Sequence, residues 1–403
     1  MDKTTPSIMF ARVIYAMQWY FLAPVTVVIA SAMHVPLAQS GLLPFYFIAG
    51  AAVAQIPAGV TSSKISPRWV YVLGLGILST SDLTLSLSNG FSELLALRFI
   101  AGIGAGFFFS PAAAVLIKSR ENRAGMVMGL YNTAFNIGGT LALLWGIPEV
   151  YLGWRAATAI GGAIGLALAF ENLLVNLKER EVIRSSAYHL SLERPVLILG
   201  LSTAGFWGAN YASGSLMASY AQIAYHASPS MAGVFTSMFF VGSAIGGITA
   251  KYFDKTKRKL TFIGVFVVLT AATYGLILLG LYAMVVAMTL NGFLSNMATS
   301  AYYAHTSAIS RNFSFALSTV NFLNMAVGVW ISPLFTLVTS ISLSALPLAL
   351  ALVSIAPLAL WALPGSHVNE LITGKRAFGG PRIGDLMPFM TAAWLTDSRP
   401  SME

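Results

Sequence analysis

The chain is a run of apolar stretches, each about 20 residues or longer, set apart by short clusters of charge. Coiled at about 1.5 Å per residue, a stretch of that length crosses a bilayer core about 30 Å thick. In hydrocarbon a helix satisfies its own backbone polar groups, so each stretch reads as a membrane-spanning helix. Hydropathy marks twelve spans, at residues 8–32, 40–62, 67–88, 92–116, 124–147, 155–177, 195–218, 229–252, 260–280, 284–306, 313–340 and 342–364. The expected fold class is an all-α membrane protein with twelve transmembrane helices. Charge content agrees, at 9% against about 25% in soluble domains. With no cysteine and no cluster of other ligating side chains at metal-site spacing, no metal and no cofactor is expected.

Basic residues test the helix count, because Lys and Arg in short loops stay on the cytoplasmic side. Of the 23 Lys and Arg residues, 20 fall in the termini and alternate loops on one side; the exceptions are Arg12, Arg98 and Arg155, in or beside spans. Both termini are therefore expected in the cytoplasm, in a multi-pass cell-membrane protein bathed in lipid. The net charge of +9 follows from this topology, so no nucleic-acid partner is expected. The first apolar stretch is long, contains Arg12 and leads straight into further spans, which reads as an uncleaved helix and not a secretory signal.

Residues 178–194 form the longest charged interruption and act as a cytoplasmic linker between an N-terminal six-helix bundle, 8–177, and a C-terminal one, 195–364. Residues 365–403 read as a cytoplasmic tail whose apolar patch, Leu386 to Leu395, is too short to span. The halves echo each other: Asn136 lies 13 residues after Arg123, and Asn324 lies 13 after Arg311. After the second span the chain reads Ser63-Lys64-Ile65-Ser66-Pro67-Arg68, and after the eighth Asp254-Lys255-Thr256-Lys257-Arg258-Lys259.

These loops resemble the Gly-x-x-x-Asp-Arg/Lys-x-Gly-Arg/Lys-Arg/Lys signature of the major facilitator superfamily. The second copy is the better match; the first has Ser63 for Asp and Pro67 inside the basic run. Arg98-Phe-Ile-Ala-Gly102-Ile-Gly104 is similar to the family's Arg-x-x-x-Gly-x-Gly stretch in the fourth span, and Gly153-Trp154-Arg155 to its Gly-Trp-Arg before the sixth. The resemblance implies two pseudo-symmetric six-helix bundles, commonly monomeric, that move a small-molecule substrate by alternating access. It also implies a gating loop of Lys64, Arg68, Asp254, Lys255 and Arg258, for which topology-setting charge alone is the competing explanation. Gly102 and Gly106 form a GxxxG pair that packing alone would account for. Ala134-Phe135 stands where antiporter subfamilies carry Gly-Pro, which weakens a drug-efflux assignment without excluding export.

Ionisable residues inside spans are costly and call for a partner or a purpose. Asp82 and Arg98 flank the turn at Gly90 by eight residues each, so they lie at matching depth and can neutralise one another. Arg98 is also the expected cation of a central site, because the resemblance implies that the fourth span lines the central cavity. Asp82 and Glu171 are the acids available for proton coupling, with Glu171 reaching the interface or pairing locally as its alternative. Arg12 is expected to snorkel to the cytoplasmic surface.

A site at the bundle interface is expected from repeated amide and aromatic faces. These carry Tyr15, Gln18 and Trp19 in the first span, Asn132 and Asn136 in the fifth, Trp207, Asn210 and Tyr211 in the seventh, and Asn321 and Asn324 in the eleventh. One fixed cation among neutral donors and acceptors suits a small polar solute or organic anion. The reading is a secondary transporter and not an enzyme, with proton symport and facilitated diffusion both open. Multidrug/proton efflux is the alternative, and a non-transporting membrane sensor or a channel is the alternative from another class.

Overall fold

The computed structural model describes residues 4–118, 124–178, 194–249, 252–253, 256, 258–310 and 313–362. All its regular elements are helical, and apart from two short connecting helices, Leu37–Gln39 and Gly146–Leu152, they fall into twelve consecutive spans. The first is Thr4–Tyr20 with Thr26–Ala32, and the second Leu42–Lys64; Pro67–Leu85, Phe91–Lys118, Ala124–Leu144 and Trp154–Lys178 follow. The seventh is Arg194–Tyr225, the eighth Pro229–Thr249, the ninth Lys259–Thr273 extended by a 3-10 turn, and the tenth Leu281–Ile309. The eleventh is Phe313–Gly328 with Ile331–Ile341, and the twelfth Ala345–Ile355 extended by a second 3-10 turn. Residues 179–193 of the linker and the tail from 363 lie outside the described residues, as do Asp254 and Lys255.

Taken singly, seven of these helices are long and apolar enough to cross a membrane: the second, fourth, sixth and eighth to eleventh. The other five fall short for reasons visible in their residues. The first is interrupted and the twelfth is short. The third, fifth and seventh bury polar groups inside the protein, among them Asp82, Asn132, Asn136, Thr203 and Ser213.

Two spans expected to be continuous are broken. The first stops at Tyr20 because Pro24 has no N–H to offer and disfavours helical geometry at Ala23. In the eleventh, the Pro333 ring cannot follow a helical Val329, and the helix resumes at Ile331.

Packing repeats between the halves. A β-carbon at Gly50 would run into the Phe99 carbonyl and one at Gly102 into that of Phe47, so the second and fourth spans cross backbone to backbone. Gly242 meets the Thr289 carbonyl and Gly292 that of Phe239 in the same way, joining the eighth and tenth. Small residues at such crossings let helices gain dispersion contact where lipid supplies no hydrophobic drive. Gly106 also faces the second span and Gly104 the third, so the glycine motif of the fourth span is a two-sided packing device.

The halves meet chiefly where the fifth span packs on the eighth and the second on the eleventh. They touch at both ends of this seam. On the side of the basic loops Gly59 faces Ser318, and Asn132 Nδ2 donates to Ser300 Oγ at 3.3 Å. On the opposite side Thr336 Oγ1 donates to the Ala38 carbonyl at 3.0 Å, and the Tyr211 hydroxyl to that of Pro44 at 3.3 Å.

Candidate functional site

Between the two contact zones lies a cavity of about 100 Å³. The first span sets one wall, because Arg12, Tyr15, Trp19 and Tyr20 recur on one helical face. Ten of the 20 lining residues are aromatic and five are asparagine, so the surface is flat, apolar and studded with amides. Its most nearly parallel aromatic pair is Trp207 and Tyr211, stacked at 5.5 Å with rings 9° apart.

Arg12 is the single Lys, Arg, Asp or Glu side chain in the lining. It does not snorkel. Helix begins at Thr4, four residues earlier than hydropathy indicates, which sets Arg12 deep in the bundle at 3% exposure. Four rings surround its guanidinium: Tyr131 at 4.2 Å, Phe135 at 4.5 Å, Tyr15 at 4.6 Å and Phe109 at 4.9 Å. Their π faces hold the cation without neutralising it, and Nε and Nη1 have no hydrogen-bond partner. An anion entering the cavity meets a fixed charge with donors to spare.

Arg98 is elsewhere. It pairs with Asp82 at 3.4 Å, donates from Nη1 to the Gln18 carbonyl and from Nη2 to that of Trp19, both at 3.2 Å, and lies 4.1 Å from the Phe47 ring centre. Those carbonyls belong to the last turn of the broken first helix, where no further turn supplies N–H partners. Arg98 therefore caps that end, with the charge sign a helix C-terminus favours. The pairing with Asp82 is as expected; the place at the cavity wall is not.

Seven of the ten residues expected at a central site line the cavity: Trp19, Asn132, Asn136, Trp207, Asn210, Tyr211 and Asn321. Gln18 faces away, bonded to Ser79 and the Gly161 carbonyl in the third and sixth spans. Asn324 ties together the seventh, tenth and eleventh spans by accepting from Thr203 and donating to the Tyr302 hydroxyl. Residues from the eighth and tenth spans complete the wall, notably Phe240, Ser243, Ser295, Asn296 and Tyr303. The pattern Ser295, Asn296, Thr299, Tyr303 is a readable polar face, and Arg12 shares its face with Tyr15 and Trp19; both signals stand in the sequence.

Glu171 is exposed at the end of the sixth span nearest the basic loops, accepting from Ser7 Oγ at 2.6 Å and Asn172 Nδ2 at 3.1 Å. Of the basic-loop residues, Lys64 and Arg258 are exposed, and Arg68 stands in the first turn of a helix capped by Ser66 and opened by Pro67. Arg155 donates to the Ser88 carbonyl at 2.9 Å and so ties the sixth span to the turn between the third and fourth.

The sequence profile of the Major Facilitator Superfamily matches residues 8–194. Over 92% of its length the chain superposes, with a TM-score of 0.65 and 17% identity, on 94% of a bacterial homologue of the human lysosomal transporter Spinster in an inward-facing, unoccupied conformation. Over residues 8–194 this chain is thus similar in sequence to the major facilitator superfamily, and over nearly its whole length it is similar in fold to a transporter of known structure. Its apolar helices are those of a multi-pass membrane protein, and its fold is the one that solved transporter adopts. An uncharacterized MFS-type transporter of Mycobacterium tuberculosis is 28% identical over 29% of this chain and 21% of its own length. A probable hexose phosphate transport protein of Chlamydia trachomatis is 29% identical over 33% of this chain and 30% of its own. The cis,cis-muconate transport protein of Acinetobacter baylyi is 24% identical over 58% and 62%. The chain thus spans less than a third of the length of the first two relatives.

Proposed function

We propose that this chain is a member of the major facilitator superfamily and a secondary transporter of small, planar organic anions, which it holds between its halves by Arg12. Rocking of residues 8–177 against 195–364 exposes the cavity to each side in turn, with the basic loops in the cytoplasm of a cell-membrane protein working as a monomer. The observation that carries the reading is Arg12: a buried cation in the wall, with unmet donors and no acid beside it in the lining. An unpaired charge at such depth costs roughly 2.5 to 3.5 kcal/mol on insertion scales, which a purely structural role would not require. Aromatic walls add stacking for a flat, unsaturated body. A conjugated dicarboxylate is named for the Acinetobacter baylyi relative, which fits the same chemistry. Multidrug efflux fits less well, because a lipophilic cation would meet Arg12 and no carboxylate in the wall.

Purified protein in liposomes should take up benzoate or cis,cis-muconate with saturation, while tetraphenylphosphonium should not compete. Loss of the charge-assisted bond in Arg12→Gln removes about 1.5 to 3 kcal/mol, a ten- to hundredfold weaker half-saturation. Arg12→Lys, a point charge without the planar fork, should fall between. Undiminished anion uptake by folded Arg12→Gln, or preferred transport of the lipophilic cation, would refute the assignment.

A further inference from the structure

Among the described residues, one further buried acid has no part in the cavity or in the Asp82 and Glu171 contacts. Glu149 lies in a short helix, Gly146–Leu152, in the connector between the fifth and sixth spans on the face away from the basic loops. Hydropathy gave it no prominence, because it stands outside every span. It is 3% exposed, and neither carboxyl oxygen has a hydrogen-bond partner.

The carboxyl turns back over Gly146, itself packed on Pro24 in the broken first span. The halves meet at this place. The short helix packs on the eighth span, whose Gly233 approaches Leu143 and Pro24, and Gln222 of the seventh donates to the Pro24 carbonyl at 3.2 Å. Glu149 is therefore sealed into the outer seam.

Charges around it are few. The eighth span and residues 21–25 contain no titratable side chain, nor does the outer half of the fifth. In the sixth, Arg155 is turned to Ser88 and the Trp154 ring, and Tyr151 of the short helix is 84% exposed. Burial pushes the Glu149 carboxyl up to about 9 with no cation to oppose it.

We propose that Glu149 is a proton-binding site of the outer seam, holding a proton when the seam is shut and releasing it when the seam opens to water. A carboxylate sealed there would lose its hydration and gain no partner, so taking up a proton is the cheaper course. Closing converts the carboxylate plus one proton from the outer solution into the neutral acid; opening reverses it. A group protonated in one state and ionised in the other links the equilibrium between them to pH. Outer closure at neutral pH thus draws one proton from outside, at a residue remote from the anion's cavity.

The chain has no cysteine, so Ser295→Cys places a single thiol on the cavity wall. In right-side-out vesicles a membrane-impermeant maleimide reaches it through the outer seam. Labelling is measured from pH 7 to 10 in this parent and in Ser295→Cys/Glu149→Gln, and their ratio at each pH cancels the thiol's own ionisation. The ratio of parent to Glu149→Gln should climb about tenfold or more with pH; a flat ratio overturns the proposal. Should Glu149→Gln fail to fold, infrared spectra of the parent decide. A protonated-carboxyl C=O band that disappears as labelling rises supports the site, and labelling that rises with the band unchanged overturns it.

Discussion

Arg98 gives the sharpest test of the division between structural and functional charge. Arg98→Met removes three interactions at once: the ion pair to Asp82 and the bonds to the Gln18 and Trp19 carbonyls. Asp82 is 0% exposed, and stripping one partner from a buried pair costs about 3 to 5 kcal/mol. Each orphaned carbonyl adds about 1 kcal/mol or more. The single variant should therefore lose roughly 5 kcal/mol or more. Asp82→Leu/Arg98→Met removes the stranded charge and leaves the carbonyls, so its loss should shrink to roughly 2 to 4 kcal/mol. Reversible unfolding of the purified protein in mixed micelles, followed by circular dichroism, measures both variants, with Asp82→Leu to complete the cycle, against the parent. The double variant should also bind benzoate, because neither residue lines the cavity. A stable Arg98→Met that no longer binds the anion would place Arg98 in the site and refute this reasoning.

Glu149→Gln should change how stability responds to pH. With the folded carboxyl raised from 4.5 to about 9, the folded state keeps a proton that the unfolded chain has lost. Stability accordingly falls as pH rises from about 4.5 to 9, by about 3 kcal/mol at pH 7, and the slope should vanish in the variant when melting is followed across that range. Gly59→Cys/Ser318→Cys puts two β-carbons about 3.5 Å apart across the inner seam, within disulfide reach, so oxidation should stop flux and reduction restore it. Gly102→Ala and Gly292→Ala drive a methyl into a neighbouring backbone and should each cost about 1 to 3 kcal/mol in unfolding titrations. Gly76→Ala, in open space on the third span, should be neutral or mildly stabilising.

The fold was legible because its causes are local: span length, loop charge and small residues at helical spacing all act within about 20 residues. The pairing of Asp82 with Arg98 was legible for the same reason, since a tight turn fixes their relative depth. What the sequence concealed depended on azimuth and on helix ends. A start at Thr4 moved Arg12 from the rim to the interior, and the rotation of the first helix exchanged Gln18 for Tyr20 at the wall. Glu149 was invisible because connector residues are normally solvated, and its burial comes from the eighth span, far away in sequence.

The two buried arginines differ in a way that bears on how the cavity closes. Arg98 keeps its acid partner and two carbonyls whatever the cavity holds, leaving only Nε without a partner, whereas Arg12 has no acid beside it, relies on four rings and leaves Nε and Nη1 unmet. Closing an empty cavity therefore removes water from a cation and returns little; closing it around a carboxylate adds a charge-assisted bond of about 1.5 to 3 kcal/mol. A ligand shifts a conformational equilibrium by its differential affinity for the two states. If that bond is complete only when the halves meet, a saturating anion should favour the closed form by about ten- to a hundredfold. The rate of disulfide formation in Gly59→Cys/Ser318→Cys reports closure of the inner seam directly. Benzoate should accelerate it, and Arg12→Gln in the same background should abolish the acceleration while leaving the basal rate in place. Equal rates with and without an anion that is nonetheless transported would mean that Arg12 draws the anion in but does not govern closure.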